Sequence, residues 1–156
     1  MRFKVLPIPL EVAEEVRRSG RAPFFGHPTH VHVAPEHGYG PCRLCLCRTR
    51  GGEQRVLFNY NPNRDKAGIP FGGPIVIHQD PCKPFDGEGF PEELKGLPIA
   101  FCGHLKGGTG TMEQAEPMAS PELEIQALFA NPEVDYITIR NIDPDSACFV
   151  ARVERA

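Results

Sequence analysis

Sixteen glycines and seventeen prolines punctuate this chain of 156 residues, about a fifth of it and well above average usage. Proline removes a backbone donor and glycine loosens the chain, so each interrupts a helix or a central strand. Only short elements fit between the breaks. One helix is expected over Pro9–Arg18, where Leu10, Ala13 and Val16, with Val12, recur at three-to-four spacing. Pro9 suits the first helical position, Glu11, Glu14 and Glu15 precede Arg17 and Arg18 along the macrodipole, and Gly20 supplies a left-handed stop. A second helix is expected after Ser120-Pro121, with Ile125, Leu128 and Phe129 as its buried stripe and Asn131-Pro132 as its end.

The remaining apolar runs read as strands: Phe3–Pro7, His30–Ala34, Arg43–Arg48, Arg55–Tyr60, Pro74–His78, Ile99–Leu105, Tyr136–Arg140 and Ala147–Val153. Gly51-Gly52 reads as a hairpin turn between the third and fourth, and Asp143–Ser146 as one between the last two. Asn61–Gly73 and Gly107–Met118 read as loops. The expectation is one α+β domain over residues 1–156, a largely antiparallel sheet with two main helices.

Composition excludes several functions. A net charge of −3 argues against broad nucleic-acid binding, and the absence of Trp leaves few stacking platforms. No apolar run approaches the length of a membrane span, and prolines break the first ten residues where a signal core would lie. These features place the protein in the cytoplasm, where its six cysteines stay reduced. No phosphate-binding, dinucleotide, metalloprotease or nucleophile-elbow motif occurs.

Chemistry must therefore come from cysteine and histidine. Cys42-Arg43-Leu44-Cys45-Leu46-Cys47 contains a C-x-x-C, but read as a strand it puts Cys45 and Cys47 on one face and Cys42 on the other. On that reading it is not a zinc knuckle, and no second C-x-x-C follows. His30 and His32 share one face of a strand and read as its polar outer side, with His27 just before them. His78 ends a strand and is followed by Cys82, while Cys102 and His104 share a strand face.

Gly26–His30, Tyr39–Leu46, Arg55–Phe58, Gly73–His78, Asp80–Cys82, Gly89–Pro91, Val134–Ile137 and Cys148-Phe149 occur in this order. In these stretches the chain resembles a bacterial family catalogued only as domain of unknown function 1203. The resemblance implies no activity, substrate or cofactor. It implies a set of residues worth attention: Cys42, Arg43, Gly73, Pro74, His78, Cys82 and Cys148.

Three functions stay open. Cys42 as nucleophile, His78 as its base and Arg43 as an anion clamp would make a small-molecule-binding protein or enzyme; the other reading of Arg43 is a pair with an acid such as Glu53. A binding or homo-oligomerisation module would use sheet edges near Val134–Arg140. Cys42, His78 and Cys82 as N/S ligands would suit a zinc-type ion.

Overall fold

In a computed structural model, residues 1–36, 40–66, 72–108, 110–113, 119–142 and 148–156 are described. They form β1 (Phe3–Leu6), α1 (Leu10–Ser19), β2 (His30–Val33), β3 (Gln54–Tyr60), β4 (Gly73–His78), β5 (Ile99–Leu105), β6 (Thr111–Glu113), α2 (Pro121–Phe129), β7 (Val134–Asn141) and β8 (Phe149–Arg155). Every strand pairing is antiparallel, as expected of this α+β fold. The strands divide into two sheets, however: β1-β8-β7-β5-β6 and β2-β3-β4.

Each sheet has its own helix and core. On the larger sheet, Ile125, Leu128 and Phe129 of α2 pack with Phe101, Ile137, Ile139 and Val153. The packing is close at Gly103, where a Cβ would meet the Leu128 and Val134 side chains at 3.4 Å. Ser120 caps α2 by accepting the Leu123 N–H at 3.3 Å. On the smaller sheet, Ala13 and Val16 of α1 pack with Val56, Phe58, Ile75 and Ile77. Gly20 ends α1 at φ +64° and donates to the Val16 carbonyl.

Four expectations need correction. Pro9 is the N-cap of α1, not its first helical residue, and Leu10 at its start is partly exposed, outside the buried stripe. Gly107–Met118 is not all loop: Thr111–Glu113 pairs with Cys102–His104 as an edge strand, short enough to lack a sequence period. Arg43–Arg48 is not a strand but a tight turn, closed by an isolated bridge between Pro41 and Arg48. Gly51-Gly52 is therefore no hairpin between two strands; it leads into β3, with the Gly52 N–H on the Ala34 carbonyl. The turn expected at 143–146 and the first residue of the last expected strand lie outside the described residues.

The turn lies where the two cores meet. Cys42 and Leu44 belong to the core of the smaller sheet and Leu46 to that of the larger. Arg43 reaches the larger sheet directly, its Nε donating to the Phe149 carbonyl at 2.7 Å.

His104 has a structural place on β5. Its ring stacks on Tyr136 at 4.4 Å, and Nε2 meets Thr138 Oγ1 at 2.8 Å. Burial, aided by the Arg140 charge, lowers its pKa to about 4 from the usual 6.5. Between these values the unfolded chain binds the extra proton, so stability rises with pH across that window and falls as pH drops through it. Wild-type stability is expected to fall by up to about 3 kcal/mol relative to His104→Gln between pH 6.5 and pH 4. Urea denaturation at stepped pH measures it; parallel curves would refute the assignment.

Candidate metal centre

Within the turn, the Cys42 N–H donates to the Cys47 carbonyl at 2.9 Å and the Leu46 N–H to the Cys42 carbonyl at 2.8 Å. Leu46 takes a left-handed φ of 57°, which swings the chain back on itself. Cys42 and Cys45 thus face one point instead of opposite sides of a strand. The Arg43 N–H on the Val76 carbonyl ties the turn to the edge of β4, at whose end His78 emerges. Cys82 follows four residues later.

One ligand atom each from Cys42, Cys45, His78 and Cys82 lies within 4.8 Å of all the others. Cys42 Sγ is 3.8 Å from Cys82 Sγ, and Cys45 Sγ is 3.5 Å from His78 Nδ1. Around a tetrahedral ion with metal–sulfur bonds of about 2.3 Å and metal–nitrogen bonds of about 2.0–2.1 Å, ligand pairs stand about 3.8 Å (S–S) and about 3.6 Å (S–N) apart. These two separations match those edges.

The surroundings suit anionic sulfur. The His78 N–H points to Cys42 Sγ at 3.3 Å. Arg17, in the last turn of α1, donates to Cys82 Sγ at 3.3 Å and grips the His78 carbonyl through Nε and Nη2. His78 Nε2 contacts Glu53 Oε2 at 2.9 Å, which leaves Nδ1 turned to the cysteines. Hydrogen bonds from Cys45 and Cys82 hold the Cys42 thiol well below the ordinary thiol range. Cys45, facing that thiolate, is pushed up. The same sulfurs, Cys42 before Cys82, raise His78 to about 10.

Sequence reasoning put forward Cys42, His78 and Cys82, and the structure brings these three together; it adds Cys45 as the fourth. The C-x-x-C spacing was the available signal for Cys45. Strand alternation hid it, because the left-handed position that makes the turn carries Leu46 where a glycine would have marked it. Glu53 lies against His78, not Arg43, and its other oxygen accepts the Arg50 N–H. Arg43 is buried, with Nε and Nη1 on the carbonyls of Phe149 and Pro41. Burial lowers its pKa to about 10, which still leaves it charged at neutral pH.

The other cysteines and histidines lie elsewhere. Cys47 is exposed, Cys102 is buried on β5, and Cys148 precedes β8; none is part of the cluster. His30 and His32 do share a face, with stacked rings, but His32 Nε2 accepts from the Arg55 guanidinium, an arrangement unsuited to a cation. His27 is occupied by Asn59 N–H and the Pro28 carbonyl.

These features define a two-sheet α+β protein with a Cys₃His cluster of the kind that holds a metal ion. The chain belongs to the family described as "Protein of unknown function (DUF1203)", whose profile matches residues 39–155. That span includes all four cluster residues and excludes β1, α1 and β2. No curated protein and no solved structure matches the chain. Among the described residues, no helix is long and apolar enough to cross a membrane.

Replacing Arg43 with Met would strip two buried carbonyls of their donor. A loss of about 2–4 kcal/mol in urea denaturation is expected; a loss below about 0.5 kcal/mol would mean that the contact does not join the sheets.

Proposed function

We propose that this chain is a zinc-type metal-binding protein whose Cys42, Cys45, His78 and Cys82 form a closed, four-ligand site. The observation that carries this reading is the agreement of the 3.8 Å and 3.5 Å ligand separations with tetrahedral edges. Thiolate and imidazole are the donor set that suits zinc, and hard cations prefer oxygen. Four protein ligands leave no open position for a substrate, which makes the site structural. Full burial of Cys42 supports the same choice over a nucleophile, since an attacking thiol needs a path for its target.

In this reading each neighbour has a task. Three thiolates around a divalent ion leave one net negative charge. Arg17 beside Cys82 and the His78 N–H beside Cys42 offset it. Glu53 orients the imidazole and raises its basicity. The Arg43 clamp and the metal would act at the same turn, so metal affinity would add directly to folding stability.

Untagged protein purified without chelator is expected to carry about one zinc per chain by elemental mass spectrometry. Cys42→Ser, Cys45→Ser, His78→Ala and Cys82→Ser should each lose it, and Cys47→Ser and Cys102→Ser should keep it. Cobalt substitution should give the thiolate charge-transfer and intense d–d bands of a tetrahedral site. Glu53→Gln should bind zinc about 10–100-fold more weakly by chelator competition. Metal-free protein that gains no thermal stability from added zinc would refute the assignment.

A further inference from the structure

The turn around Cys42 has a second copy in the fold. A bridge between Arg21 and Pro28 closes it, as one between Pro41 and Arg48 closes the first. The Ala22 N–H donates to the His27 carbonyl and the Gly26 N–H to the Ala22 carbonyl, the same two bonds twenty residues earlier. Gly26, at φ 74°, stands where Leu46 stands. Ala22 and Phe25 occupy the positions of Cys42 and Cys45, so this copy has no metal ligands to present.

It differs from the first in one further way. Phe24 has φ 69°, whereas its counterpart Leu44 is not left-handed. The Phe25 N–H bonds the Pro23 carbonyl at 2.7 Å, which makes Pro23–Phe25 a γ-turn of the rare, strained kind. The strain has a visible result: Leu44 is fully buried, and Phe24 is 73% exposed with Phe25 51% exposed beside it. Such strain persists only where the surroundings enforce it, and it clusters at binding sites.

Both rings border a cleft of about 910 Å³. Small-molecule sites are usually about 300–1,000 Å³ and largely apolar, with a few polar groups. Pro9, Leu10, Val12 and Phe149 supply apolar wall, and Tyr60 supplies a hydroxyl. The charges are unequal in availability. Arg152 and Asp65 neutralise one another through two hydrogen bonds. Glu15 is solvent-exposed on α1, where water and salt screen it. Arg64 has its guanidinium 3.4 Å from the Phe24 ring centre, and no carboxylate among the described residues pairs with it.

We propose that this cleft binds a small amphipathic anion: an apolar, preferably flat body held against Phe24 and Phe25, with a carboxylate or similar head on Arg64. The aromatic ring fixes the cation at the cleft wall, and the ligand's body covers the two exposed rings. The proposal is independent of the metal reading, because neither Phe24 nor Arg64 touches the cysteine cluster.

The test uses the full chain and 1-anilinonaphthalene-8-sulfonate, a flat apolar anion whose fluorescence rises on binding. Its neutral analogue N-phenyl-1-naphthylamine serves as control. Saturable 1:1 binding of the anion is expected, at least fivefold tighter than that of the analogue. Arg64→Gln should weaken the anion at least fivefold and leave the analogue unchanged. Phe24→Gly, whose backbone accepts the positive φ, should weaken both at least threefold while keeping the wild-type Tm. Decanoate should displace the anion from wild type. Absence of saturable binding, or equal affinity across wild type and both variants, would overturn the proposal. Equal loss of both dyes in Arg64→Gln would overturn the anion-head assignment.

Discussion

The turn from Pro41 to Arg48 is the part on which the rest of this structure depends. Two sheets, each with its own helix, would otherwise pack as two small cores with modest contact. The turn gives Cys42 and Leu44 to one core and Leu46 to the other, and it sends Arg43 across to a backbone carbonyl of β8. A buried guanidinium is costly to desolvate. Here two carbonyl acceptors receive it, so the cost is offset where the sheets join.

The same turn also creates the chemistry. Folding it brings two thiols to one point, and the edge of β4 adds an imidazole and a third thiol. At these distances the groups act on one another: Cys42 is pushed down, and Cys45 and His78 are pushed up. A divalent ion would replace the protons of this cluster. Arg17 and Glu53 stand at the two ends of the cluster with opposite charge, one against sulfur and one against imidazole.

One backbone turn occurs twice, and its two copies differ in the side chains they present. At Cys42–Cys47 the inward positions carry sulfur. At Ala22–His27 the corresponding positions carry a methyl group and an exposed phenyl ring, and the chain tip is twisted to hold Phe24 outward under Arg64. The first turn lies within the part of the chain that defines its family, and the second lies before it.

Local pattern and covalent geometry were enough to specify most elements from the sequence. The α2 cap and stripe, the stop at Gly20 and the spans of β1, β3, β4 and β5 all followed from periodicity, capping and proline placement, because those forces act within a few residues. Cys42, His78 and Cys82 were recognisable as chemically apt for the same reason: residue type is local information. Tertiary structure alone decided that the strands split into two sheets, that Cys42–Cys47 turns instead of extending, and that Cys45, Arg17 and Glu53 join the cluster. Each of those outcomes depends on partners distant in sequence. Leu46 adopts a left-handed conformation in a turn whose apolar side chains are divided between two cores, and those cores are built from residues far away in the chain.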